Sequence, residues 1–459
     1  MNILIITTWF VPDSAIAAVR PYMFAKHLSE FGENVTVLRS GEFELPPFDE
    51  YNSDMGFEVI SSLGENCDAE KFVRGEYEGF VQPANGRYPF IPQRIKMPLK
   101  FLRDMKNVML KRPPKCFEHP VLVLNYHKKA INRLFNQGRK YDVVFSTCGS
   151  IENIFAGRYA ARVFDAAWIM DFRDSMIMST SLNPDYMWNI YAKRATICAL
   201  KEAECITAVS DGLCKELKKL YPRDDVLLLN NGYDERELLP EVVVPENRLT
   251  FCYAGRLYEE QKASLRALVK CLSNLISEKR VDKNKIKYYY AGSSGDGFRE
   301  LFDSEGMADI LVDKGYLSKG DALRLELASD VFTVSSWNTT KSQGILTGKF
   351  YEGIKTGKPI LTLISGNMPN SELMQFQEKY NYGFCYETCN KKTAMKDLEN
   401  YIESLYNEKL LCGRLSYIPS KEIKEAFGYG SITMKLHGIM QKAKVINNQR
   451  KRDEHTKEN

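Results

Sequence analysis

Asn2-Ile3-Leu4-Ile5-Ile6-Thr7, followed by Phe24, Leu28 and Phe31 and then by Val35-Thr36-Val37-Leu38, is the passage that sets the fold. The first run has no polar interruption until Thr7, as suits a strand covered on both faces. Phe24, Leu28 and Phe31 recur at helical spacing, and Gly32 closes that helix. Two apolar strands joined by a helix form a βαβ unit, which starts an open parallel sheet. Outward from it, strands are expected at 142–146, 167–171, 204–209 and 226–229, with helices including 186–202 and 211–220.

The rhythm breaks at 234–248, where Pro240 and Pro245 bracket an acidic, valine-rich stretch that reads as a linker. It then restarts, with a strand over 249–253, a helix over 263–276 and a strand over 287–291. Shorter elements follow at 309–313, 321–328, 330–335 and 359–364. The expected architecture is α/β, with an N-terminal Rossmann-like domain over 1–238 and a C-terminal one over 249–420. Helices over 421–446 should cross back to the first domain. The almost wholly polar residues 447–459 read as a disordered tail.

Composition excludes several classes. The 459 residues suit two or three domains, and 44 % hydrophobic with 27 % charged residues is ordinary for a globular protein. A net charge of +4 is too small to imply nucleic acid. The five histidines include no pair at metal spacing, and the eleven cysteines include no CxxC. Cys385 and Cys389 have no second pair to complete a zinc site. No metal or cofactor is therefore expected. Unpatterned cysteines and a start that runs straight into a strand fit a reducing cytosol without a targeting segment. No stretch approaches the roughly eighteen apolar residues of a membrane span.

One segment departs from the βα pattern. Arg94, Lys96, Lys100, Arg103, Lys106, Lys111, Arg112 and Lys115 stand against Asp104 alone, with Phe101, Leu102, Met105, Val108 and Met109 between them. This basic insertion (about 90–116) is either a helix packed on its own domain by that stripe or one that touches anionic lipid. The second reading would place the protein at the inner face of the cytoplasmic membrane.

Four groups of residues can carry chemistry. Arg256 and Lys262 follow an apolar strand that ends at Gly255, and Lys262 opens a helix. A cation there opposes the helix dipole unless an anion answers it, and a pyrophosphate would do so. Solvated cations beside Glu259 and Glu260 are the plainer alternative. The second group is the run Thr347-Gly348-Lys349-Phe350-Tyr351-Glu352-Gly353-Ile354-Lys355-Thr356-Gly357-Lys358-Pro359. The amides at the helix start can hold a phosphate, and Glu352 can grip two adjacent hydroxyls such as those of ribose, or else pair with Lys349 or Lys355. Gly357 and Pro359 end the helix.

Third, Asp171, Arg173 and Asp174 crowd the end of an apolar strand, where open α/β sheets bind ligands. They can orient hydroxyls and stabilise developing charge, or form a salt-bridged turn. Fourth is the loop from Phe10 to Arg20. Arg20 again sits early in a helix, and Ala15, Ala17 and Ala18 permit close approach. Arg20, Ser14 and Ala17, with Ser150, are candidate acceptor contacts. The loop 292–297 is neither a P-loop nor GxGxxG, so no NTPase or nicotinamide enzyme is indicated.

In this order the residues resemble the retaining glycosyltransferases of family four, which have the GT-B fold. The likeness spans nearly the whole chain and is densest over 249–364. It implies two Rossmann-like domains facing a cleft, and sugar transfer from a nucleotide-sugar, UDP- or GDP-linked, to a saccharide or polyprenyl-linked acceptor. It also implies retention, no metal, and a place in cell-envelope or exopolysaccharide synthesis. Arg256 and Lys262 match the basic pair on the donor diphosphate, and Glu352 the carboxylate on the donor ribose. Gly315-Tyr316-Leu317 matches the backbone segment that reads the base, and the residues near Asp171 match the domain edge beside the reacting sugar. Two positions depart. Gly344 stands where the family often has a first glutamate, and Arg173 lies where a histidine is common. A nucleotide-sugar 2-epimerase, or a nucleotide-sugar-binding protein with little turnover, would fit the same fold.

Overall fold

The computed structural model describes residues 1–11, 16–40, 55–62, 115–148, 151–174, 186–221, 223–390 and 393–458. The chain forms two compact units. The first comprises Met1–Val209, Cys214–Leu229 and Thr433–Asn459, and the second Ser210–Leu213 and Asn230–Ile432.

The first unit is built on seven strands: β1 (Asn2–Thr7), β2 (Asn34–Arg39), β3 (Glu58–Ser61), β4 (Val143–Cys148), β5 (Ala167–Phe172), β6 (Cys205–Ala208) and β7 (Val226–Leu228). Their order is β3-β2-β1-β4-β5-β6-β7, and each neighbouring pair is parallel. Ile3 stands opposite Val35 on one side and Val143 on the other. The strand order therefore reverses direction between β1 and β4, the place where sheets of this kind open a crevice at their carboxyl ends. Burial on both faces explains the unbroken apolar runs, with Ile3, Leu4, Ile5 and Ile6 all fully buried.

The second unit repeats the plan with β8 (Leu249–Ala254), β9 (Ile286–Ala291), β10 (Leu311–Asp313), β11 (Val331–Asn338), β12 (Ile360–Gly366) and β13 (Gly383–Glu387). The order is β10-β9-β8-β11-β12-β13, again parallel, with its reversal between β8 and β11. The helix after β8 covers Lys262–Ser277. Its Leu265, Leu268, Leu272 and Leu275 fall on one face at helical spacing and are buried. Each such side chain contributes about 1.5–3 kcal/mol by leaving water. The helix Gly348–Thr356 ends as its sequence requires. Gly357 takes φ 69°, a left-handed conformation that glycine adopts without strain, and its N–H bonds to the Ile354 carbonyl.

The polar C-terminus differs from the sequence expectation. Residues 447–458 are the end of a helix, Tyr429–Glu458, and not a disordered tail. Its last turns are held by partners that composition does not reveal. Lys444 pairs with Asp142 at 2.9 Å, Arg450 with Glu204 at 3.0 Å and Lys451 with Asp165 at 2.9 Å. Asn447 is 2 % exposed and donates to the Asp165 carbonyl at 3.2 Å. No described helix is long and apolar enough to cross a membrane.

Candidate functional site

In the second unit the reversal point is built from the aromatic core upward. Tyr290 stacks on Phe298, with centroids 4.1 Å apart, and Tyr253 packs against the same ring at 5.2 Å. Both hydroxyls reach past the strand ends. Tyr290 Oη donates to the Gly255 carbonyl at 3.0 Å and accepts from the Ser294 amide at 2.7 Å. Tyr253 Oη bonds to the Arg256 carbonyl and to Gln261 Oε1, each at 3.2 Å. Gln261 donates to the Ser335 carbonyl at 2.8 Å and accepts from the Tyr258 amide at 2.9 Å. The loop carrying Arg256 is thus pinned to β9 and β11. It also lies tight against the next loop, where a Cβ on Gly292 would fall 2.2 Å from the Gly255 oxygen.

Arg256 is exposed, with its guanidinium 5.5 Å above the Tyr258 ring. Lys262 Nζ pairs with Glu259 at 2.7 Å, which raises the pKa of the lysine. The helix dipole at Lys262 is therefore opposed by a cation that a protein carboxylate already answers. Gly315 accepts from the Gly292 amide at 2.8 Å, so the 315–317 segment borders the same loop, with Tyr316 83 % exposed and Leu317 half-buried.

Lys349 lies in the first turn of Gly348–Thr356, with its stem along the Gly255 loop. Its Cε is 3.7 Å from where a Cβ on Gly255 would stand. Its ammonium bonds to Glu352 Oε2 and, at 3.1 Å, to Glu326 Oε1. Glu326 is 2 % exposed against 29 % for the Glu352 side chain. Burial pushes Glu326 up to about 7, opposed by Lys349 and reinforced by Glu352. Burial opposes the charge on Lys349, but Glu352 and Glu326 together hold it above the usual lysine range. Sequence reading did not single out Glu326. Its position between Leu325 and Leu327 gives no sign that it is buried.

Thr347 caps this helix without a side-chain bond to it. Its Oγ1 is shut from solvent and has no hydrogen-bond partner among the described residues. Phe350 N–H is taken by the Thr347 carbonyl at 3.0 Å. The amides of Gly348 and Lys349, which precede it, have no partner among the described residues. A buried hydroxyl without a partner costs about 1–3 kcal/mol. Together with open amides at a helix start, it offers hydrogen bonds of the kind an anion accepts.

The first unit gives a different picture of its predicted residues. Asp171 is fully buried and Arg20 only 2 % exposed, and they form an ion pair. Asp171 Oδ1 accepts from Arg20 Nη2 at 2.8 Å and Thr207 at 2.7 Å, while Oδ2 accepts from Arg20 Nε at 3.0 Å and Thr147 at 2.9 Å. Arg20 also donates to the Leu229 carbonyl at 2.8 Å. Within the unit the anion that answers Arg20 is thus Asp171. With four donors on it and no exposure, Asp171 is held within its own unit. Arg173 donates to the Ala17 carbonyl, which brings two other predicted residues together, and Asp174 is exposed. Ser14, Ser150 and the basic residues 94–114 lie outside the described residues.

Sequence reading also missed a buried network at the reversal point of this sheet. Thr8 donates to Glu152 at 3.1 Å, and Asn153 donates to Thr8 at 3.0 Å and to the Thr147 carbonyl at 2.9 Å. A polar pair directly after a strand was the available signal.

No family model matches the chain, and no curated protein does. Solved structures do. Sucrose-phosphate synthase of Thermosynechococcus elongatus superposes with a TM-score of 0.59 at 12 % identity, over 96 % of this chain and 98 % of that one. HepE of Anabaena, in complex with UDP and glucose, gives 0.56 at 12 % identity over 96 % and 100 %. TarM gives 0.55 at 11 % identity over 96 % and 98 %. The chain has the GT-B fold. Each Rossmann-like unit of that fold is one of the two parallel sheets described above, and the reversal of the second lies beside Gly255, Lys349 and Thr347.

Proposed function

We propose that the protein is a glycosyltransferase that moves a sugar from a nucleotide-sugar to a saccharide or polyprenyl-linked acceptor, with retention and without a metal. The observation that carries the reading is Thr347, a buried hydroxyl with no partner among the described residues, at a helix start whose first amides have none there either. A phosphate group would satisfy all three. Lys349 lies in the first turn and Glu352 about one turn further on, so a nucleoside diphosphate at Thr347 would bring its ribose hydroxyls toward Glu352. Arg256, exposed on a pinned loop, is assigned to the departing diphosphate, and Lys262 joins it by exchanging Glu259 for the phosphate. Such electrostatic help is often the largest single contribution to transfer. The backbone at Tyr316 and Leu317 is assigned to the base. Arg173 and Asp174 remain the polar groups of the first unit for the sugar or its acceptor. The GT-B fold and the UDP and glucose held by the similar HepE support a UDP-linked donor. A cytoplasmic site beside the membrane, in envelope or exopolysaccharide synthesis, belongs to the same proposal.

The test is a thermal-shift panel with UDP, GDP, ADP, CMP and dTDP and their sugars. One nucleotide should stabilise the protein, by about 2.7 kcal/mol at a hundredfold excess over Kd, and Thr347→Val should weaken that nucleotide selectively. If no nucleotide stabilises the chain, or Thr347→Val leaves binding unchanged, the donor site is elsewhere.

A further inference from the structure

Glu326 is hard to explain as a contribution to stability. It closes the helix Lys319–Leu327, is 2 % exposed, and neighbours Cys252 of the central strand β8. Isolating a carboxylate from water is costly, and a well-packed apolar side chain of similar volume is commonly neutral or better there. What Glu326 touches is specific. Its Oε1 accepts from Lys349 Nζ at 3.1 Å, and the same ammonium bonds to Glu352 Oε2. The other nearby cation, Lys355, is already paired with Glu237 at 2.7 Å. Burial falls away along the chain of contacts, from Glu326 within the unit to the partly exposed Glu352. Lysine ends a flexible four-carbon stem as a point charge with three donors. One carboxylate would leave that charge free to swing, whereas two at fixed positions define where it sits. Glu352 Oε2 is thereby occupied, and Oε1 has no partner among the described residues.

We propose that Glu326 is a positioning residue. It fixes the ammonium of Lys349, and Lys349 in turn turns the free oxygen of Glu352 toward the vicinal hydroxyls of the donor ribose. This rests on the donor reading given above and adds to it a specificity determinant that touches no substrate.

The experiment measures Kd by calorimetry on the full chain at about pH 8, above the point at which Glu326 gives up its proton, for UDP against 2′-deoxy-UDP, and for GDP against 2′-deoxy-GDP. A diol held by a carboxylate should give the wild type a preference of about tenfold for the ribonucleotide, the equivalent of about 1.4 kcal/mol. In Glu326→Gln, which keeps shape but not charge, the preference should fall to about twofold or less while the deoxynucleotide binds as before. Lys349→Met should give the same loss, and the double variant no further loss, because the two residues act in series. Comparable melting of the wild type and Glu326→Gln separates positioning from misfolding. If Glu326→Gln folds poorly, Lys349→Met carries the same comparison. A preference that survives in Glu326→Gln, or in Lys349→Met when that is the variant that folds, overturns the proposal and leaves the donor reading intact. Failure of the wild type to bind either ribonucleotide overturns the donor reading itself.

Discussion

The buried pair Arg20–Asp171 makes the sharpest prediction, because it separates a structural role from the ligand-binding one that its sequence position suggests. Asp171→Asn keeps the shape, and the one threonine of Thr147 and Thr207 that meets the new NH2 can turn its hydroxyl to accept. It removes the charge that holds Arg20 Nε at 3.0 Å and Nη2 at 2.8 Å. Arg20, at 2 % exposure, would then lose its carboxylate partner, while the Leu229 carbonyl and the face of Phe24, 4.6 Å away, stay in place. Breaking a buried pair by removing one partner costs about 3–5 kcal/mol. For a unit of this size each kcal/mol shifts the melting temperature by about 2–4 °C, so a fall of roughly 6–20 °C is expected. Trp168 reports on it directly. It lies three residues before Asp171 on β5, buried, with its indole N–H on Ser146 Oγ at 2.8 Å. Thermal melts followed by tryptophan fluorescence should show the loss for Asp171→Asn and for Arg20→Leu. The double variant Arg20→Leu/Asp171→Asn should cost about 1–3 kcal/mol less than the two single losses summed. Binding of UDP should be unchanged throughout. If both single variants melt within about 1 kcal/mol of the wild type, and acceptor kinetics alone suffer, the pair serves a ligand and the reasoning here fails.

Other outcomes follow from the same geometry. Folded Glu326 keeps its proton to about pH 7, while in the unfolded chain it titrates near 4.5. Between those values the folded state binds more protons, so stability should fall as pH rises, by about 3 kcal/mol in all, and level off above. Urea titrations at pH 4.5–7.5 should show that slope, and Glu326→Gln should remove it. Truncation after Ile446 would take away Asn447, Arg450 and Lys451. Unfolding of the first unit should then cost about 1–3 kcal/mol less, since Glu204 stays buried without its cation, whereas removal of an unstructured tail would leave the melt unchanged. Arg256→Ala and Lys262→Ala should each lower turnover by about 10²–10³ if they stabilise a departing diphosphate. Unaltered turnover in both would remove them from the site.

Much of the architecture was readable in the sequence because it rests on periodicity. Strand β1 falls on its expected bounds, and the helix Lys262–Ser277 extends the expected one by a residue at each end. Such elements are written as apolar runs or as leucines at helical spacing. Gly357 likewise marks its helix end. The elements that went unread, such as β13 with its mixed Gly-Phe-Cys-Tyr-Glu, are short and chemically uneven. The site was readable only in part, for a different reason. A cation at a helix start signals that an anion is needed, but not whose. For Arg20, Lys262 and Lys349 the protein supplies its own carboxylates, Asp171, Glu259 and Glu326 with Glu352, from partners near or far in sequence. Burial decides which of them is locked away. Burial is a property of the folded neighbourhood, so neither the isolation of Glu326 nor the orphaned hydroxyl of Thr347 could be seen from spacing.

The C-terminal helix has a consequence for the order in which the molecule is made. Thr433–Asn459 belongs to the unit that contains Met1, yet a ribosome delivers it after the whole of the second unit. Glu33 must wait for His437, Asp142 for Lys444 and Glu204 for Arg450, while the whole of 230–432 is synthesised in between. The first unit is therefore completed only after the second has emerged, and a nascent chain stalled in the second unit would present an incomplete surface to chaperones and proteases.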